Sequence, residues 1–155
     1  MLRNQKPNPK SPAPPARRKA TRDLSQTSTS DAAAYLMERY GRGVELKGSM
    51  KPLKGAYYDW NEGKPSVSWN VTQGVHALLH ELGHHRLKHD RLELRGKGIH
   101  IDEIAEEAEA WLWAEERAYR HDIPFDYADA DKWFETYCNR HWKKGIVTIR
   151  WRRKK

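Results

Sequence analysis

Cysteine and long apolar runs are scarce in this chain of 155 residues. Its one cysteine, Cys138, excludes an intramolecular disulfide and agrees with a reducing compartment. No segment approaches the roughly 18 consecutive apolar residues that a membrane span requires. The N-terminal residues are basic but contain no apolar core of a secretory signal. We therefore predict a cytoplasmic protein with no membrane association.

Acidic residues are missing from both ends of the chain. Residues 1–22 contain seven Lys or Arg and no acid, and residues 139–155 contain eight Lys or Arg and no acid. The residues between them contain fourteen basic and twenty-one acidic side chains, a net charge of −7. The overall charge of +8 therefore belongs to the two ends, and the body of the protein is acidic.

Length and composition predict one domain with tails. The chain is too short for two ordinary domains, and 37% hydrophobic against 32% charged residues is polar for a globular protein. Residues 1–29, rich in Pro, Ser, Thr and basic side chains, predict a disordered basic arm. We assign the domain to residues 30–140 and a basic C-terminal strand or tail to residues 141–155, with GIVTIRW (145–151) as the strand.

The first half of the domain predicts a helix followed by a hairpin. Asp31 is a good N-cap for a helix that ends at Gly41. GAYYDW (55–60) and PSVSWNV (65–71) form a hairpin with the alternation expected of strands, which predicts a short antiparallel sheet.

Three helices are predicted after the hairpin. Asn70 and Gln73 form a capping box, and an apolar stripe at helical spacing follows. A second helix, over residues 102–122, has apolar residues along one side and many glutamates elsewhere. A last helix covers residues 128–142. Helices and a small sheet together predict an α+β fold.

The helix after the hairpin contains the pattern H-E-x-x-H. His80 and His84 are four residues apart, so their side chains share one helix face and both imidazoles can reach one metal ion. Glu81 lies about 100° around the helix, beside the metal, where it can accept a proton from a water acidified by zinc. Gly83 permits another backbone to approach this helix.

Zinc at a catalytic site needs a third protein ligand. One candidate is Asp90, but Leu87 stands where a glycine usually breaks the helix, so we expect the helix to continue past residue 87. A second is His76, which reads as a polar residue near the helix start. The third is a glutamate from the acidic helix, as in His-His-Glu zinc enzymes.

Helical periodicity leaves two glutamates of the acidic helix as candidates for the third metal ligand. Glu107 and Glu109 lie on opposite borders of its apolar side, and Glu106 points to solvent. Glu115 falls inside the apolar stripe, which indicates either a buried acid or a bend in the helix.

HELGHH (80–85), preceded by the hairpin and followed by EAEAWLWA (107–114), resembles the ImmA/IrrE family of zinc metallopeptidases. The family pattern is HELGH and then a helix of the form E-x-x-A-N/D-x-F-A. The resemblance covers roughly residues 30–125. It implies a zincin-like domain whose short sheet packs on the H-E-x-x-H helix and a second, Glu-bearing helix. It also implies zinc held by His80, His84 and Glu107, with Glu81 as general base.

Two positions depart from the family pattern. Trp111 replaces the Asn or Asp that follows the ligand glutamate, so any hydrogen bond from that residue to a ligand is missing or replaced. The histidine that commonly follows HELGH is Lys88 here, with His89 one place later. Relatives are associated with cutting DNA-binding repressors, which makes a DNA-bound regulator a candidate substrate.

The function predicted from sequence is zinc-dependent peptide hydrolysis with a protein or peptide substrate. His85, Tyr57 and Tyr58 are candidate donors to the oxyanion. The alternative is a nucleic-acid-binding protein with a structural metal site or none. In that case the basic tails bind phosphates, and Trp142 and Trp151 stack on bases.

Overall fold

A computed structural model describes residues 21–48, 56–61, 64–89, 103–140 and 147–154. This part of the chain is α+β, as predicted, with four α-helices and one three-stranded sheet. The elements in chain order are α1 Thr29–Tyr40, β1 Glu45–Gly48, β2 Tyr57–Asn61, β3 Lys64–Trp69, α2 Gly74–Leu87, α3 Glu103–Arg120 and α4 Tyr127–Arg140. No helix within these ranges is long and apolar enough to cross a bilayer.

Helix α1 begins three residues earlier than a cap at Asp31 predicts. The Ser28 hydroxyl oxygen accepts the backbone N–H of Asp31 at 3.1 Å, so Ser28 is the N-cap. Before the cap, Leu24 is 3% exposed and donates its backbone N–H to the carbonyl of His121 at 2.8 Å. Leu24 therefore anchors the segment before α1 to the domain, within the range assigned to the predicted arm of residues 1–29. Residues 1–20 lie outside the described residues.

The sheet is mixed, and the predicted antiparallel sheet is only part of it. Strand β3 is central: β2 pairs with it antiparallel and β1 pairs with it parallel. The predicted hairpin is confirmed, with Val67 opposite Tyr58. The four residues of β1 are all exposed and show no alternation, so the sequence pattern contains no sign of the parallel strand.

Helix α2 packs against α3 at a close backbone approach. The Asn70–Gln73 capping box is present, but it caps a 3-10 turn over Val71–Gln73, and α2 itself begins at Gly74. A Cβ at Gly83 would lie 3.0 Å from the carbonyl oxygen of Ala110 in α3. Gly83 therefore sets how closely the two helices approach.

We expect Gly83→Ala to lower the free energy of unfolding by about 1–3 kcal/mol because the new methyl group forces α2 and α3 apart. Chemical denaturation followed by circular dichroism measures this. Gly48→Ala is the matched control, since a Cβ at Gly48 meets no atom within 4 Å. Equal stability of the two variants would contradict the role of Gly83.

Helix α2 ends at Leu87, so the prediction that it continues is wrong. Lys88 adopts a left-handed conformation (φ 59°, ψ 43°), and the backbone N–H of His89 donates to the carbonyl of His84 at 3.0 Å. This hydrogen bond satisfies a terminal carbonyl and offsets the roughly 1–2 kcal/mol cost of a left-handed lysine. The chain turns back, and His89 is 6% exposed. Asp90 lies outside the described residues.

The C-terminal segment accounts for Glu115. Residues 147–154 form no strand, in contrast to the prediction from GIVTIRW, and instead contact both α3 and α4. The buried Glu115 carboxylate accepts the backbone N–H groups of Arg152 and Arg153 at 3.1 and 2.8 Å. It also accepts the Tyr127 hydroxyl at 3.0 Å. Glu115 is thus a buried acid with partners, and α3 continues past it.

Candidate metal centre

Three side chains from α2 and α3 converge at the interface of these helices. The Nε2 atoms of His80 and His84 are 3.1 Å apart. The two oxygens of the Glu107 carboxylate face them, Oε2 at 3.2 Å from His80 Nε2 and Oε1 at 3.1 Å from His84 Nε2. His80 and Glu107 are each 5% exposed, and 12% of the His84 side chain is accessible. The arrangement can hold a metal ion.

The spacing of these atoms fits a small divalent cation. Tetrahedral zinc with bonds of about 2.0–2.1 Å separates its ligand atoms by about 3.3 Å, close to the distances between these side chains. Oε2 of Glu107 is also buried, and its contact with His80 Nε2 at 3.2 Å lacks the geometry of a full hydrogen bond. A buried carboxylate oxygen left this way is costly unless a cation binds it.

The pKa shifts of the three side chains follow from burial and from their contacts with one another. Burial lowers the pKa of His80 to about 4, which keeps this imidazole neutral, as a metal ligand must be. Burial opposes ionisation of Glu107, but its contacts with the two imidazoles hold its pKa well below the usual range. Burial opposes charge on His84 as well, and Glu107 nevertheless raises the pKa of that imidazole.

Trp111 stacks on the imidazole ring of His80. Its ring lies 3.9 Å from the His80 ring, at 20° to it, and Trp111 is 2% exposed. The Nδ1 atom of His80 is buried and has no hydrogen-bond partner among the residues that the structure describes. Packing against Trp111, rather than a polar partner of Nδ1 among the described residues, therefore orients the His80 ring.

His84, by contrast, has a polar partner that sequence reasoning missed. Its Nδ1 lies 2.9 Å from Nδ1 of His89, and Nε2 of His89 lies 3.3 Å from the Glu109 carboxylate. If His84 binds a metal through Nε2, its Nδ1–H donates to His89, and His89 Nε2–H donates to Glu109. Glu109 therefore contacts the ligand His84 only through His89. His89 was missed because α2 was expected to continue past Leu87, and it is the end of the helix there that brings His89 to His84.

We expect His89→Ala to weaken zinc binding by about 10–100-fold, because His84 loses the acceptor that orients its ring. Competition with a chromophoric zinc chelator measures the affinity. His89→Asn, whose amide oxygen can accept from His84 Nδ1, is expected to restore part of the loss. Unchanged zinc affinity in His89→Ala would show that this contact does not orient the ligand.

Glu81 lies beside the three converging side chains and does not join them. Its Oε1 is 3.9 Å from His80 Nε2, and the residue is 6% exposed. Burial raises the pKa of Glu81 to about 7, opposed by the nearby His84. Glu81, His80 and Glu107 line a cavity of about 50 Å³, together with Trp133 and Tyr137 of α4. This volume is enough for a few water molecules.

The remaining predicted site residues lie around this centre. His76 Nε2 lies 2.9 Å from the Asp129 carboxylate, which ties α2 to α4, and His76 takes no part in the His80–His84–Glu107 group. Of the candidate oxyanion donors, the Tyr58 hydroxyl lies 3.3 Å from His85 Nδ1. Tyr57 is 50% exposed. Tyr137 and Trp133 were not predicted, because only the packing of α4 brings them to the cavity.

Searches of family models, of curated proteins and of solved structures find no match to this chain.

Proposed function

We propose that this protein is a zinc-dependent metallopeptidase of the His-His-Glu type with a zincin-like domain. Zinc would be held by His80, His84 and Glu107. The observation that carries the proposal is the convergence of these three buried side chains at spacings close to those of tetrahedral zinc. The resemblance of HELGH and EAEAWLWA to the ImmA/IrrE family supports it as well.

Glu81 is the general base of the proposed reaction. Zinc, when bound, supplies Lewis-acid chemistry that acidifies water and polarises the scissile carbonyl. The Glu81 carboxylate borders the same cavity as His80 and Glu107, so it is positioned to accept a proton from water there. After attack, the protonated Glu81 delivers that proton to the leaving amine. Tyr58 and His85, which contact each other, are the candidate groups to stabilise the oxyanion.

The number of ligands favours catalysis over a structural metal. Structural zinc sites are closed by four protein ligands, whereas catalytic sites have three and an open position. In the described residues, three side chains converge and a cavity adjoins two of them. A carboxylate that is not in the ligand group, Glu81, also borders the cavity, which a structural site does not require.

The test is cleavage of quenched-fluorescent peptide libraries and of unfolded protein by the zinc-loaded chain. Hydrolysis that is abolished by 1,10-phenanthroline and restored by zinc is the expected result. Stoichiometric zinc with no hydrolysis of any library member would contradict the proposal and favour a structural metal.

A further inference from the structure

The cavity beside the metal centre has one polar wall and one apolar wall. The polar wall is formed by His80, Glu81 and Glu107. Among the described residues, the rest of the lining carries no charge and consists of Ala56, Ala77, Trp111, Trp133 and Tyr137. A ligand in the cavity therefore meets ionisable groups on one side and aromatic rings and methyl groups on the other.

The apolar wall begins within one helical turn of the metal centre. Ala77 lies three residues before His80 on α2, so the two side chains share a helix face. Trp111 lies four residues after Glu107 on α3, which gives the same relation. The Trp111 ring is 3.9 Å from the ring of His80 and 6.4 Å from the ring of His76. Ala77 and Trp111 therefore lie on the same side of the ligand group.

Helix α4 completes the apolar wall with two aromatic side chains. Trp133 and Tyr137 are four residues apart, which places them on one face of the helix. Trp133 is 37% exposed, whereas Trp111 on the opposite helix is 2% exposed. Trp133 therefore lies at the mouth of the cavity, and Trp111 lies at its inner end.

The volume and the chemistry of the walls restrict what the cavity can bind. Its volume of about 50 Å³ holds on the order of four atoms, at roughly 10–15 Å³ for each. A charged side chain would lose its hydration against rings and methyl groups that return no hydrogen bond. A branched aliphatic side chain, such as that of valine or leucine, fits this volume and gains free energy by leaving water.

We propose that this cavity binds a branched aliphatic side chain of the substrate next to the scissile bond, and that Trp133 sets this specificity. The proposal rests on the proposed function, because it requires the scissile carbonyl to lie at the metal centre. Side chains one helical turn apart are separated by about 5–6 Å. A side chain on the residue that carries the carbonyl spans this distance from the ligands to the apolar wall.

Two hydroxamates test the cavity without requiring hydrolysis. Acetohydroxamate and isovalerohydroxamate chelate zinc through the same group, and only the second carries an isobutyl group on its carbonyl. Isothermal titration of the zinc-loaded full chain measures both affinities. We expect isovalerohydroxamate to bind at least about tenfold more tightly, the lower end of what a hydrophobic pocket contributes to selectivity.

Two variants change the cavity from opposite ends. Trp133→Ala opens the mouth to water, and Ala77→Val fills part of the interior. Each is expected to lower the ratio of the two affinities by about fivefold or more, with less than about a threefold change for acetohydroxamate. Tyr119→Ala is the matched control, an exposed aromatic side chain about 18 Å beyond Glu107 along α3. This control is expected to leave the ratio unchanged.

Equal affinities of the two hydroxamates for the unaltered chain, or no binding of either, would overturn the proposal. So would a ratio that Trp133→Ala and Ala77→Val leave unchanged, or that Tyr119→Ala lowers equally. The expected ratio in a chain that hydrolyses no library peptide would support the aliphatic cavity and contradict only the peptidase proposal.

Discussion

Glu81→Gln is expected to lower peptide hydrolysis by about 10²–10⁴-fold, the range that general acid–base catalysis contributes. The glutamine amide has nearly the shape of the carboxylate, but it cannot accept a proton from water. Glu81 lies beside the ligand group, with Oε1 3.9 Å from His80 Nε2. Zinc affinity is therefore expected to change by less than about threefold, and the loss should fall on kcat more than on KM.

Steady-state kinetics on the best library peptide, with zinc content measured on the same preparation, tests this expectation. Asp129→Asn is a matched control, because this carboxylate also contacts a histidine of α2, His76, but outside the ligand group. Retained hydrolysis in Glu81→Gln would exclude this residue as the general base. Loss of zinc together with activity would instead place Glu81 among the ligands.

Glu107→Gln is expected to weaken zinc binding at least about a hundredfold and to abolish hydrolysis, because it removes a charged ligand from between two imidazoles. Glu109→Gln is the matched comparison on the same helix. The side chain of Glu109 is 65% exposed, and its contact is with His89. We expect it to weaken zinc binding by less than about tenfold.

Competition with the chromophoric chelator measures both affinities, and circular dichroism verifies that both variants fold. A larger loss of zinc in Glu109→Gln than in Glu107→Gln would reverse the assignment of the third ligand. Glu107 is buried against two histidines, so Glu107→Gln can lower the stability of the fold as well as the affinity for zinc. Zinc added during refolding distinguishes the two effects.

Local patterns predicted the parts of the site that lie on one helix. The i, i+4 spacing of His80 and His84 places them on one face, and the structure brings their Nε2 atoms to 3.1 Å. The hairpin before α2 and the extent of α3 were also readable, since alternation and apolar periodicity are local signals. The close approach of another backbone to α2 at Gly83 was also predicted, because glycine has no side chain in the way.

Contacts between distant segments could not be predicted from these patterns. Periodicity placed Glu107 and Glu109 equally near the core, and only the angle at which α3 packs on α2 turns Glu107 toward the histidines. His89 enters the site because Lys88 adopts a left-handed conformation that lysine rarely takes. Glu115 looked misplaced because its partners are backbone groups of the C-terminal segment.

Metal analysis of the purified full chain tests the central claim most directly. Inductively coupled plasma mass spectrometry, before and after incubation with zinc and removal of the excess, is expected to give about one zinc per chain. The ratio is expected to fall to near zero in the His80→Ala/His84→Ala double variant. A chain that binds no zinc after reconstitution, or a double variant that retains it, would contradict the metal centre formed by His80, His84 and Glu107.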